Sequence, residues 1–206
     1  MTSDHAELPA HMDVDGVLRP AVNSRGWPIH PTEDGIRNFW RWYEGSSLLD
    51  EQGRPIVLFR GMTADIAFVQ FRPTAGGSYG DGIYLSDDPE VASFWAGDRE
   101  SEGFDAQWGG VVFPCYARIE RPADAEQASA IEAQCTARHW RPSEVLRERG
   151  FDGVCASDEG LEVMVLDGRQ VKSALANTGS FDPCSEDLCD QPLPGLRDDL
   201  EWTMGA

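Results

Sequence analysis

Apolar residues recur along this chain at two periods, and the change from one to the other marks out its elements. In "EDGIRNFWRWYEG", Ile36, Phe39, Trp40 and Tyr43 stand three and four residues apart, which predicts an amphipathic helix. Thr32 just ahead of it is a good N-cap. "IVLFR", residues 56–60, is instead an unbroken run of β-branched and aromatic residues, the pattern of a buried strand. "GIYLS", residues 82–86, predicts a second strand, after which Asp88 caps and Pro89 opens a helix, "PEVASFWAG". "GGVVFPCYARIE" is a longer strand pattern whose Pro114 asks for an edge or a bulge. Helices are expected over 122–139 and over "PSEVLRERG", stopped by Gly150, with further strands in "FDGVCA", "LEVMVLD" and "VKSALA". Three stretches lack either period. Residues 1–32 read as an irregular arm, 61–82 as a Gly- and Thr-rich loop, and the acidic, proline-containing end from Asn177 as draped or disordered.

Charge narrows the function classes. With 36 Asp and Glu against 17 Lys and Arg, the 206-residue chain carries a net charge of −19. A field of that sign repels phosphate backbones, which argues against general nucleic-acid or anionic-membrane binding and favours a basic protein partner. No apolar run approaches the roughly 18 residues of a membrane span. The start, "MTSDHAELPAHMD", has neither the basic nor the apolar region of a secretory signal. Five cysteines in such a chain read as reduced thiols in a cytoplasm. Cys184 and Cys189 could close a small disulfide loop, or bind metal with outside help. No histidine lies near them and the spacing matches no zinc pattern, so no metal is expected. "DVDGVL" has the look of an aspartyl-phosphate motif, but no buried strand precedes Asp13, and it reads as an acidic turn.

The candidate chemistry gathers on three segments. "GRPIVLFRGM" ends a core strand on Arg60 and Gly61, a guanidinium followed by a residue without Cβ that lets a ligand approach. "GIYLSDDPEVASFWA" carries Tyr84 and Trp95, and "GFDGVCASDEGLEVMVLDGRQVKSA" opens an apolar strand with Glu162. In this order and spacing they resemble the ADP-ribosyltransferase family, the NAD-consuming fold of diphtheria toxin and the poly(ADP-ribose) polymerases, and most closely the transferase domains of phage polyvalent proteins. The lead-in "NFWRWYEGSSLLDEQGRP" and the exit "NTGSFDP" extend the likeness over residues 21–183.

The resemblance implies an α+β fold of two small packed antiparallel or mixed sheets flanking an NAD cleft, with peripheral helices. It divides the chain into an arm, 1–20, a transferase domain, 21–183, and a flexible acidic tail, 184–206. It makes Glu162 the catalytic carboxylate, with Tyr84 and Arg60 beside it, and assigns NAD contacts to Arg60, Gly61, Met62, Gly82, Tyr84, Ser93 and Trp95. Phe68 and Phe71 would pack the loop beneath the site. The chemistry fits those residue types. Loss of nicotinamide leaves an oxocarbenium-like sugar that a fixed carboxylate stabilises, and a pyridinium suits aromatic faces. Two positions depart from the family, which mostly has histidine at 60 and threonine or serine at 62. The arginine-first toxins of the same fold carry Glu or Gln two residues before the catalytic glutamate, where this chain has Gly160. The resemblance therefore implies a mono-ADP-ribosyltransferase that uses NAD as cosubstrate and modifies an acceptor such as a host protein. It would act as a monomer in a phage, toxin or effector setting. An NAD glycohydrolase and a degenerate domain that only binds are the alternatives.

Overall fold

The structure is a computed structural model that describes residues 9–62, 70–97, 110–157 and 160–191. The described part of the arm, from residue 9, is more ordered than its composition suggested. Strands β1 (His11–Val14) and β2 (Val17–Pro20) form an antiparallel hairpin across Asp15 and Gly16, whose φ angles of 53° and 86° are the left-handed pair that a two-residue turn of this kind needs. Arg41 grips both oxygens of Asp15 at 2.9 Å and so ties the hairpin to helix α1 (Glu33–Tyr43).

Helix α1 begins as expected, with the Thr32 hydroxyl accepting from the Gly35 amide. Its apolar stripe is buried, and Trp42, outside the expected stripe, is buried as well. The reason is long-range: Phe181 from the C-terminal segment stacks on Trp42 at 6.1 Å and meets Phe39 edge-on at 5.3 Å. Phe39 also contacts Tyr43 and Tyr116, which puts an aromatic cluster at the centre of the main core.

The remaining strands are β3 (Leu58–Met62), β4 (Thr74–Gly77), β5 (Gly80–Ser86), β6 (Val111–Ala117), β7 (Pro122–Ala123), β8 (Gly153–Ala156), β9 (Glu162–Val165) and β10 (Val171–Ser173). They pair in the order β10-β6-β3-β5-β9-β8-β7, with β4 added to β5; only β7 and β8 run parallel. The expected two groups, β10-β6-β3 and β5-β9-β8-β7, meet through one rung, Phe59 opposite Ser86. Strand β6 is internal, between β3 and β10, so Pro114 is not at an edge. It sits just past the end of β10, where its carbonyl accepts from the Ala174 amide and little pairing is lost.

Helix α2 (Pro89–Gly97) lies against β3, and its start is capped by Asp88, whose Oδ1 accepts from the Glu90 amide at 2.7 Å. Helix α3 (Ala125–Arg138) packs on β7 and β8 and α4 (Pro142–Glu148) on α3 and β5, around a smaller core of Ile131, Leu146, Val154 and Met164. Helix α3 starts later than expected because Pro122 and Ala123 join the sheet and Asp124 makes the capping box with Gln127.

Residues 184–191 do not behave as the tail expected from 184. Lys172 of β10, fully buried, donates to the carbonyls of Ser185 and Asp187 and to Asp190 at 2.5 Å. The other Asp190 oxygen accepts from the Asn177 side chain and the Asp182 amide. Leu188 is buried beneath this clasp, and Cys184 and Cys189 are both free thiols. The rest of the expected tail lies outside the described residues.

Candidate active site

Continuing the antiparallel register from Phe59–Ser86 would set Arg60 opposite Leu85, Gly61 opposite Tyr84 and Met62 opposite Ile83. None of these pairs forms. Beyond the single rung each strand keeps its other neighbour, β3 paired to β6 and β5 to β9. The gap is a cavity of about 450 Å³, in the range of small-ligand sites. Arg60, Gly61 and Met62 line it from β3, Tyr84 from β5, Glu162 from β9 and Trp95 from α2. Six of the eight positions expected from sequence thus share one cavity.

Gly82 and Ser93 do not line it. Gly82 is buried in β5, where a Cβ would come 2.1 Å from the Met164 sulfur, so its small size serves strand packing. Ser93 is exposed on α2. Three residues that the sequence reading missed, Thr74, Gly77 and Ser78, complete the wall from the β4–β5 hairpin. The Gly- and Thr-rich composition of that stretch was the available signal. The Thr74 hydroxyl donates to the Gly82 carbonyl at 3.2 Å and so ties β4 to β5. Phe71 is buried below Arg60, as expected, while Phe68 lies outside the described residues.

Gly61 is glycine for a different reason than ligand access. A Cβ there would lie 1.7 Å from the Ala92 carbonyl oxygen, so the missing side chain lets α2 rest on β3. That contact sets the position of Trp95. The Tyr84 ring lies against Gly77, where a Cβ would fall 2.2 Å from ring atoms. Its hydroxyl accepts from the Tyr79 amide at 2.9 Å and donates to the Gly80 carbonyl at 2.7 Å, pinning the hairpin turn. Burial pushes this phenol up to about 12.

The family model for the ADP-ribosyltransferase in polyvalent proteins matches residues 50–181, more than half of the chain, and spans every residue of the cavity. The chain belongs to this family. No curated protein and no solved structure matches it. The fold described above is accordingly the ADP-ribosyltransferase fold, and the family uses NAD as its cosubstrate.

Among the described residues, the charged side chains that line the cavity are Arg60 and Glu162. Arg60 is 8% exposed, and its Nη1 donates to the Tyr84 carbonyl at 3.2 Å, the bridge that stands where a ladder bond is missing. Its guanidinium lies 5.2 Å from the centre of the Phe71 ring, and its Nε is buried with no partner among the described residues. Burial pulls its pKa down, and no carboxylate of the described residues pairs with it. An anionic ligand would supply what this cation lacks. Glu162, paired between Ser86 and Ala156, is half-buried at the start of β9. Its carboxylate makes no hydrogen bond or ion pair with the described residues, and burial pushes its pKa above the usual glutamate range.

A second hollow, of about 200 Å³, lies between α4 and the turn at 168–170. Three of its four charged residues are already engaged: Arg147 with the Leu166 carbonyl, Asp152 with the Glu120 and Arg121 amides, and Asp167 with Arg169. Among the described residues no group of three or more His, Cys, Asp or Glu could hold a metal ion, and no helix is long and apolar enough to cross a membrane.

Proposed function

We propose that this domain is a mono-ADP-ribosyltransferase that cleaves NAD at the cavity beside the Phe59–Ser86 rung and passes ADP-ribose to a protein acceptor. The bond between the ribose C1′ and the nicotinamide nitrogen breaks, and nicotinamide leaves with the bonding pair. The electron-poor sugar carbon is then taken by a nucleophile of the acceptor, whose proton goes to solvent. Glu162 orients the ribose and stabilises the developing positive charge, a contribution made mainly in the transition state. Arg60 meets the anionic side of the substrate. Tyr84 and Trp95 offer aromatic faces to the pyridinium, worth about 0.5–2 kcal/mol for contacts of this type. The Gly61 backbone and Met62 form the floor from β3.

One observation supports this reading most. Among the described residues, a buried guanidinium without a carboxylate partner and a half-buried carboxylate without a cationic partner face the same cavity and do not neutralise each other. NAD carries both complements, a diphosphate and a cationic nicotinamide ribose.

The test is incubation with NAD labelled on the adenine side, following nicotinamide release and the fate of the label. Transfer to protein supports the proposal, whereas free ADP-ribose alone would make the domain a glycohydrolase. Glu162→Gln should cut nicotinamide release by about a hundredfold or more while leaving NAD affinity nearly unchanged. Near-normal release from that folded variant would remove Glu162 from the mechanism.

A further inference from the structure

Helix α2 is inverted. Its buried residues are the small ones, Ala92 and Ala96, because the helix lies so close to Gly61 that nothing larger fits. Its large apolar residues point the other way: Val91, Phe94 and Trp95 are 37%, 66% and 36% exposed. Spaced three and four apart, they form one stripe along the solvent face. A stripe of this kind on a helix that needs none of it for the core marks an interaction surface. Trp95 makes the stripe continuous with the cavity, since it also lines the cavity wall.

We propose that this face docks the acceptor, and that the acceptor is a basic protein which seats an apolar side chain on Phe94 between its own lysines or arginines. The inference rests on the transferase reading of the cavity and adds the substrate class. Charge selects the occupant. Helix α2, "PEVASFWAG", contains no lysine or arginine, and Asp88 and Glu90 stand at its start. Arg25, which reaches this end of the helix, is engaged with the Asp87 carbonyl and the Phe59 ring. The whole chain adds a net charge of −19, which draws cationic partners and repels acidic ones. A partner seated against Trp95 presents its neighbouring side chains to the cavity, so docking and transfer become one geometry.

The test has two arms. In the first, the protein is titrated with a fluorescein-labelled peptide of alternating lysine and leucine, and with an all-lysine peptide of equal charge. The mixed peptide should bind more tightly. Phe94→Ser should weaken it by about tenfold or more, the factor that burial of one phenyl ring supplies. Glu90→Lys should weaken both peptides, most strongly at low salt. In the second arm, transfer to histones is compared with transfer to serum albumin. Histones should be labelled preferentially, and Phe94→Ser should lower that labelling while nicotinamide release into water stays unchanged. Equal peptide binding by the wild type and Phe94→Ser overturns the docking site. So does preferential labelling of albumin, or self-association of the wild type that Phe94→Ser abolishes while peptide binding persists. If NAD is not cleaved at all, the transferase reading falls, and the peptide titration still decides the surface by itself.

Discussion

Replacing Arg60 with methionine should make the domain slightly more stable and much worse at binding NAD. Arg60 is 8% exposed, and among the described residues it has one hydrogen bond, of 3.2 Å, and no partner for its Nε. Burying an unpaired ion costs several kcal/mol even after relaxation. Against that stand the bond to the Tyr84 carbonyl, about 1.5–3 kcal/mol for a charged donor, and the contact with Phe71, about 0.5–2 kcal/mol. Methionine keeps the length and recovers part of the Phe71 contact through sulfur, about 0.3–1.5 kcal/mol. The net expectation is a gain on the order of 1 kcal/mol, which for a domain of this size raises Tm by about 2–4 °C. NAD would lose at least one charge-assisted hydrogen bond, so its Kd should rise roughly tenfold to a hundredfold. Thermal melts with and without NAD, together with calorimetric titration, read both effects. Wild type should gain Tm with NAD by mass action, and the variant should gain far less at the same concentration. Unchanged NAD affinity would take Arg60 out of the site. A loss of stability beyond about 3 kcal/mol, the scale of breaking a needed buried polar contact, would make it a strut between β3 and β5.

The raised pKa of Glu162 sets a pH dependence whose sign follows from its cause. Catalysis needs the carboxylate, so kcat should fall on acidification at a pH above the ordinary glutamate value of about 4.3. The folded state holds this proton more tightly than the unfolded chain. Its contribution to stability is therefore present below the ordinary pKa and lost as pH rises through the raised one, so Glu162→Gln should be no less stable than wild type at pH 7. A pH profile that stays flat down to pH 4 would refute both statements. Tyr84→Phe strips the hairpin turn of the group that joins the Tyr79 amide to the Gly80 carbonyl. It should cost about 1 kcal/mol and speed hydrogen exchange at Tyr79, while NAD affinity falls less than in Tyr84→Ala. Equal affinity losses in the two variants would move the binding role from the ring to the hydroxyl. Gly61→Ala puts a Cβ 1.7 Å from the Ala92 carbonyl oxygen, so α2 must shift at a cost of about 1–3 kcal/mol. Because Trp95 rides on that helix, Tm and NAD affinity should fall together, and an unchanged Tm would show that the contact is slack.

The parts that the sequence revealed are those whose signal is local. Thr32, the apolar stripe of α1, and the runs around Leu58, Ile83 and Val163 announce a cap, a helix and three strands without help from distant residues. Arg60, Tyr84 and Glu162 stand beside such runs, which is why they could be placed together. What escaped depends on pairing across the chain. Strand β4, "TAGG", has no apolar pattern and becomes a strand only by bonding to β5. Residues 184–191 are acidic and read as tail, yet the Lys172 ammonium, eighteen residues before Asp190, organises them. The hairpin at 11–20 has a local signal too, since Asp15-Gly16 between Val14 and Val17 is a turn dipeptide, although the same aspartates also fit the spacing of a phosphatase-like motif. Gly82 and Ser93 were expected at the site from the family resemblance, but a Cβ at Gly82 would run into the Met164 sulfur and Ser93 is exposed on α2, contacts that no local pattern announces.

The cavity exists because two strands that could pair stop doing so after one rung. A ladder continued through Arg60–Leu85, Gly61–Tyr84 and Met62–Ile83 would close the space between β3 and β5 and leave no room for a ligand. Stopping it leaves backbone groups without their sheet partners, and the chain answers with a side chain: Nη1 of Arg60 donates to the Tyr84 carbonyl. A histidine at that position is shorter, and in neutral form offers one donor rather than five. Arginine can bridge the strands with one nitrogen and still hold others toward the cavity. The departure at residue 60 is thus consistent with retained chemistry, because one guanidinium can serve the fold on one edge and the substrate on another. It also explains why, among the described residues, Arg60 Nε alone is a buried side-chain polar atom without a partner. A residue chosen for stability alone would not leave that donor idle in a buried wall.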